Sequence, residues 1–141
     1  MHLDLGSLKD AVNALSEAVR KSEDPSFMGQ FDVTVRNLIR SGVIQHFEFT
    51  YELCWKFIQR WLAVNAPQGE SGLPRSRRDL FRMASRHGLI GEPTPWFEAG
   101  DARNITSHTY DWKKADIVYG AAVRFLPEAS DLLARLEQHN D

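Results

Sequence analysis

Leu5, Leu8, Val12, Leu15 and Val19 recur at intervals of three and four residues, the repeat of a helix with one apolar face. Pro25 disfavours helical geometry in Asp24, so this helix is expected to stop near residues 22–25. A second helical stretch is expected from Ser26, read as its N-cap, through Phe31, Val35, Leu38 and Ile39 toward Gly42. Residues 43–64 carry Phe47, Phe49, Tyr51, Trp55, Phe57 and Trp61, which predicts a central helix packed on several sides. One seam of that helix stays polar: Ser41, Gln45, Glu48, Glu52, Lys56 and Gln59.

Prolines and glycines over residues 65–74 predict a turn. Ser76 with Asp79 resembles a capping box, opening a helix that runs to His87 and stops at Gly88. Thr94 and Pro95 supply an N-cap and a first-turn proline for a helix carrying Trp96, Phe97, Ala102 and Ile105. A break is expected around residues 107–111, with Asp111 capping a last helix through Ala115, Val118, Ala122, Leu126, Ala129, Leu133 and Leu136. Pro127 removes one backbone hydrogen bond there and should kink or split that helix. No segment alternates as a strand would. The expectation is an all-α fold, an up-and-down bundle of four to five helices forming a single domain over residues 1–141.

Composition narrows the chemistry. A formal net charge of −2 gives no overall basic excess, so no DNA partner is expected. Cys54 is the sole cysteine, which excludes an internal disulfide, favours a reducing compartment and reads as a small buried hydrophobe. With neither a signal peptide nor a long uncharged apolar run, the expected place is the cytoplasm, with no membrane contact. The five histidines lack metal-site spacing with one another or with Cys54, and there is no phosphate-binding glycine loop. Neither a metal nor a cofactor is expected. Gly6-Ser7 stands without the paired aspartates that hold metal ions in a nucleotidyltransferase, so the chain is not itself one.

What remains is the run Asp101-Ala102-Arg103-Asn104-Ile105-Thr106-Ser107-His108-Thr109-Tyr110. Five residues along a continuous helix turn a side chain through about 140°, so Arg103 and His108 would point apart. They meet only if the helix ends between them. Joined, the pair suits phosphodiester chemistry without metal. Histidine shuttles a proton near neutral pH, and arginine holds phosphate oxygens and transition-state charge. An RNA 2′-OH would supply the nucleophile. On spacing alone the structural reading is the more economical: Arg103 ties down the helix end and His108 caps it.

At these residues the chain resembles the HEPN superfamily, specifically its HepT-like branch, through Arg103-x4-His108-x-Tyr110. It is still more similar to the nucleotidyltransferase substrate-binding proteins, through residues 44–49 (Ile-Gln-His-Phe-Glu-Phe), Tyr51-Glu52-Leu53, Gly88-Leu89-Ile90-Gly91 and residues 103–110, in that order. The likeness spans roughly residues 5–138. It implies a helical bundle that forms a homodimer, and a separately encoded minimal nucleotidyltransferase as partner. It further implies a toxin-like, metal-independent ribonuclease site in which Arg103 stabilises phosphate charge and His108 is the acid–base group. Tyr110 would be the AMP acceptor whose modification silences the toxin. The alternative is a non-catalytic subunit that binds substrate or nucleotide for the transferase.

Three secondary features stay open between structural and functional roles. Glu48 and Glu52 lie one turn apart, either a solvated seam relieved by Lys56 or a functional pair of which one orients Arg103 or faces the partner in the dimer cleft. Asn104, next to Arg103, could contact phosphate or cap the helix, and support of the Arg103 motif is the favoured reading. Arg75, Arg78, Arg82 and Arg86 share one helical face with Arg77 beside them: a solvated surface, a contact for RNA phosphates at Arg78, Arg82 and Arg86, or a docking surface for an acidic partner. The Trp and Phe side chains are expected in the core.

Overall fold

The computed structural model describes residues 3–66, 74–105 and 111–139; His108 and Tyr110 lie outside the described residues. Every regular element among the described residues is a helix: α1 (Gly6–Ser22), α2 (Pro25–Met28), α3 (Val33–Asn65), α4 (Arg77–Arg86), α5 (Thr94–Asn104) and α6 (Trp112–Gln138). The one-turn α2 apart, five helices build the bundle, as the apolar spacing predicts. α1, α3 and α6 pack on one another, α5 lies against α6, and α4 bridges α3 and α5.

The apolar stripe of α1 is buried at Leu8, Val12, Leu15 and Val19. It meets α3, from which Val43, Phe47, Tyr51, Cys54, Ile58 and Leu62 face inward. Each such side chain contributes roughly 1.5–3 kcal/mol when fully withdrawn from water. Thr50 is the buried polar residue of this core; its hydroxyl donates to His46 O at 2.7 Å and lies 3.3 Å from Ala11 O, tying α3 to α1. Phe47, Tyr51, Phe81, Trp96 and Phe125 form an aromatic centre with ring separations of 5.2–6.2 Å, mostly edge to face.

The boundaries differ from the sequence reading at the starts of α2, α3 and α5, and Pro127 does not split α6. Asp24, not Ser26, caps the helix at Pro25, its carboxylate accepting from Ser26 N and Phe27 N at 3.0 and 3.2 Å. The stretch expected to end at Gly42 instead opens at Asp32, whose carboxylate accepts from Val35 N at 3.0 Å, and runs unbroken for 33 residues. Pro127 stands inside α6 without splitting it. Other signals are met as expected. Ser76 Oγ accepts from Asp79 N at 3.1 Å, Asp111 caps α6, and Gly88 closes α4 at φ +76°. Arg135 on α6 then donates to Gly88 O at 3.0 Å, fixing the α4–α5 connection against the bundle. α5 opens one residue early, with Pro93 at the cap position and Thr94 as its first residue.

The core expectation for aromatics fails at Phe49 and Trp112, which are 61% and 62% exposed. Cys54 is buried, and burial pushes its thiol far above the ordinary range, which makes it inert as a nucleophile.

Candidate functional site

α5 stops at Asn104. Ile105 is the C-cap, and its N–H returns to Ala102 O at 3.1 Å. Arg103 therefore sits in the final turn of α5. His108 and Tyr110 follow beyond that end, outside the described residues.

Arg103 reaches back across the bundle to α3. Its Nε lies 3.3 Å from Glu52 Oε1, and its Nη1 lies 3.9 Å from Glu48 Oε2. All three side chains are about one-third exposed, so water screens the pairs and each is worth about 1 kcal/mol rather than several. The polar seam on α3 is thus no plain solvated face at this level. Glu48 and Glu52, unfavourable neighbours by themselves, are held together by a guanidinium from another helix. Lys56, expected to relieve Glu52, is exposed and lies over the Trp55 ring at 5.7 Å.

Sequence reasoning missed the rest of the cluster. Trp55 Nε1 donates to Glu52 Oε2 at 2.8 Å, which fixes the carboxylate plane. Arg77 Nη1 lies 3.9 Å from Glu52 Oε1, and its guanidinium stands over the rings of Trp55 at 4.4 Å and Tyr51 at 5.6 Å. Burial raises the Tyr51 phenol above its ordinary pKa of 10, while the Arg77 hydrogen bond works in the opposite direction. Gly100 was the available signal: a glycine inside α5, where an added Cβ would come within 2.8 Å of Tyr51 Oη. The missing side chain lets α5 approach the Tyr51 hydroxyl.

Between α4, α5 and the middle of α3 opens a hollow of about 310 Å³ that both Tyr51 and Asn104 line. Asn104 is exposed at its edge, next in the chain to Arg103. The arginine face of α4 forms one side, and it is partly neutralised. Arg78 pairs with Asp101 at 3.3 Å and Arg82 with Asp79 at 2.9 Å. Both guanidiniums lie over the Phe97 ring, at 4.6 and 5.2 Å. Arg75 and Arg86 are exposed at the two ends of that face. Among the described residues, no three His, Cys, Asp or Glu side chains gather as metal ligands, and no helix is long and apolar enough to cross a membrane.

The chain is similar to known proteins over nearly its whole length. It is 38% identical over 138 residues to a probable ribonuclease HepT of Haemophilus influenzae, covering 98% of this chain and 94% of that protein. HI0074 of Haemophilus influenzae, described as the substrate binding domain of a nucleotidyltransferase, superposes with a TM-score of 0.89 at 38% identity, over 96% of this chain and all of that one. A crystal structure from Thermus thermophilus matches with a TM-score of 0.65 at 26% identity, over 94% and 97% of the two chains. The family model described as nucleotidyltransferase substrate binding protein like matches residues 3–138. The superposition on HI0074, the 38% identity over nearly the whole chain and the family match over residues 3–138 agree: the chain belongs to the nucleotidyltransferase substrate-binding-protein-like family.

Proposed function

We propose that this chain is the HEPN-type, HepT-like subunit of a two-component toxin–antitoxin system, paired with a separately encoded minimal nucleotidyltransferase. In this reading Arg103 and His108 form a metal-independent ribonuclease site that AMP attached to Tyr110 silences. One observation carries the reading: α5 terminates at Asn104 with the Arg103 guanidinium already held by Glu52 and Glu48. The relative named as a probable ribonuclease supports the reaction class, and the family description supports the transferase partner.

The chemistry needs little from the protein. His108 takes the proton of an RNA 2′-OH, the 2′-oxygen bonds to the adjacent phosphorus, and the bond to O5′ breaks as the imidazolium returns a proton to it. A 2′,3′-cyclic phosphate and a 5′-hydroxyl result. Arg103 meets the extra negative charge on the phosphorus oxygens with two N–H donors of fixed geometry. Glu52 and Glu48 attract that guanidinium at 3.3 and 3.9 Å, which favours one placement of it ahead of the reaction. Arg78, Arg82 and Arg86 would contact flanking phosphates. AMP on Tyr110 would block the groove with bulk and like charge.

A homodimer fits the surface. Leu38, Trp112 and Ile117 are 58–66% exposed, and Trp112 lines a small hollow with Arg40, Ile44 and Asp116 where α3 meets the start of α6. Apolar residues ringed by charge are typical of an interface. The test is expression of the chain alone beside Arg103→Ala and His108→Ala, scoring growth and RNA integrity, with intact mass of Tyr110 after co-expression with the transferase. Growth arrest and RNA loss with the native chain only, and an AMP adduct on co-expression, are the expected results.

A second reading has its own observation. The 310 Å³ hollow beside Arg103 is large enough for a nucleotide, which suits a non-catalytic subunit presenting substrate to the transferase. Tight nucleotide binding with neither RNA cleavage nor growth arrest would favour it.

A further inference from the structure

Arg103 with its two glutamates makes a poor cradle for an anion. Glu52 at 3.3 Å and Glu48 at 3.9 Å set two negative charges against its one positive charge, so the three groups together are net negative. A phosphodiester carries a negative charge of its own and gathers more on the phosphorus oxygens in the transition state. Like charges at this range repel. A phosphate held beside Arg103 needs a second cation.

Arg77, the first residue of α4, is placed to be that cation. Its Nη1 lies 3.9 Å from Glu52 Oε1, the same oxygen that Arg103 Nε approaches at 3.3 Å. The two nitrogens are therefore about 7 Å apart at most, a span that the oxygens of one phosphate bridge through charge-assisted bonds of about 2.8 Å at each end. The guanidinium lies over the Trp55 ring at 4.4 Å and the Tyr51 ring at 5.6 Å, which restrains its position. Its side chain is 41% exposed, within reach of an incoming strand. The neighbouring cations are less suited. Arg78 and Arg82 each have an acid closer by, Asp101 at 3.3 Å and Asp79 at 2.9 Å. Lys56, over the Trp55 ring at 5.7 Å, offers a point charge rather than a planar fork.

We propose that Arg77 is a second catalytic arginine, contacting a non-bridging oxygen of the same RNA phosphodiester that Arg103 holds. With it the two guanidiniums and two carboxylates balance, and the anion no longer meets a net negative site. Glu52 then serves both arginines, fixing one oxygen between them while Trp55 Nε1 holds the other at 2.8 Å. This inference rests on the ribonuclease reading for the reaction, but the phosphate contact is measured apart from cleavage.

The experiment uses the full chain with a fluorescein-labelled, 2′-O-methylated RNA oligomer, which keeps every phosphate but lacks the attacking hydroxyl. Fluorescence anisotropy is read over a series of NaCl concentrations. Arg77→Gln is expected to weaken binding about tenfold and to lower the slope of log affinity against log salt by about 0.7, the share of one phosphate contact on a single strand. Arg77→Lys keeps the charge and should keep the slope. Arg20→Gln makes the same charge change on α1, where Arg20 pairs with Glu17, and should move neither quantity. Single-turnover cleavage of the unmodified oligomer should fall about a hundredfold in Arg77→Gln and recover in part in Arg77→Lys. Thermal melts check folding; if Arg77→Gln does not fold, Arg77→Met, which keeps an apolar stem, takes its place with the same expectations. An unchanged slope in Arg77→Gln, or an equal change in Arg20→Gln, overturns the contact. AMP competing as tightly as the oligomer also overturns it, in favour of a site for free nucleotide. Cleavage unslowed in Arg77→Gln overturns the catalytic role whatever the slope. A lowered slope with no cleavage by the native chain leaves the phosphate contact standing and removes the ribonuclease, whereas native cleavage with rate and slope indifferent to Arg77→Gln does the reverse.

Discussion

Glu52 Oε1 lies 3.3 Å from Arg103 Nε, joining the middle of α3 to the last turn of α5 across 51 positions of sequence. The carboxylate is itself fixed, since its second oxygen accepts from Trp55 Nε1 at 2.8 Å. Glu52→Gln keeps the size and the Trp55 bond but removes the charge that aligns Arg103. Loss of this partly screened pair should lower stability by only about 1 kcal/mol. RNA cleavage should fall further, about tenfold in kcat, with little change in KM. Lys56→Ala should change both little, because Lys56 is exposed and its approach to this cluster is a loose 5.7 Å contact with the Trp55 ring. A parallel loss of stability and activity in melts and single-turnover assays would contradict the positioning role.

Gly100 and Tyr51 should behave as a coupled pair. An added methyl at Gly100 meets Tyr51 Oη at 2.8 Å, so Gly100→Ala should destabilise by about 1–3 kcal/mol through overpacking. Tyr51→Phe removes the offending oxygen and should recover at least half of that loss in the double variant. Denaturant melts of the four proteins give the coupling, and strict additivity would contradict the contact.

Gly42 and Gly88 should respond oppositely to alanine. Gly42 stands inside α3 with open space where its Cβ would be, so Gly42→Ala should stabilise by about 0.5–1 kcal/mol. Gly88 holds φ +76°, and Gly88→Ala should destabilise by about 1 kcal/mol. A helix broken at Gly42 would give the reverse sign for the first variant.

Glu128 supplies the pH test. Burial raises its pKa above the ordinary 4.5, with Asp131 adding to the rise and Arg135 opposing it. The folded state therefore holds this proton more tightly than the unfolded one. The favourable contribution is complete below 4.5 and fades as pH climbs through the raised value. Glu128→Gln should stabilise the protein modestly at pH 7, by about 0.5 kcal/mol or less, with the gain vanishing near pH 4. Melting temperatures of both proteins from pH 4 to 8 check the sign; a gain that grows toward acid would contradict it.

Which features could be read in the sequence follows from the range of the forces behind them. The caps at Ser76 and Asp111 and the stop at Gly88 are local, made within three residues, and the sequence shows them. Ser26 failed because Asp24, two residues earlier, competes for the same orphan N–H groups and wins with a charged acceptor. Gly42 failed as a boundary because about 1 kcal/mol of glycine penalty is small beside the core contacts that run the length of α3. Pro127 likewise loses one hydrogen bond inside a helix held by Phe125, Ala129, Leu132 and Leu133. At the site, Arg103 stands out by its place in a short motif, and Glu48 and Glu52 by their spacing. Their union, and the entry of Arg77, Trp55 and Tyr51, depends on how α3, α4 and α5 cross, which no local pattern encodes.

The most direct test of the Arg103–His108 site is end-group analysis of a labelled RNA incubated with purified protein in excess chelator. The account predicts fragments ending in 2′,3′-cyclic phosphate, formed without metal and lost by about a hundredfold or more in His108→Ala and in Arg103→Ala, the scale of removing a proton-transfer group or a charge-stabilising donor. Cleavage that persists undiminished in His108→Ala, or that stops on chelation, would contradict it.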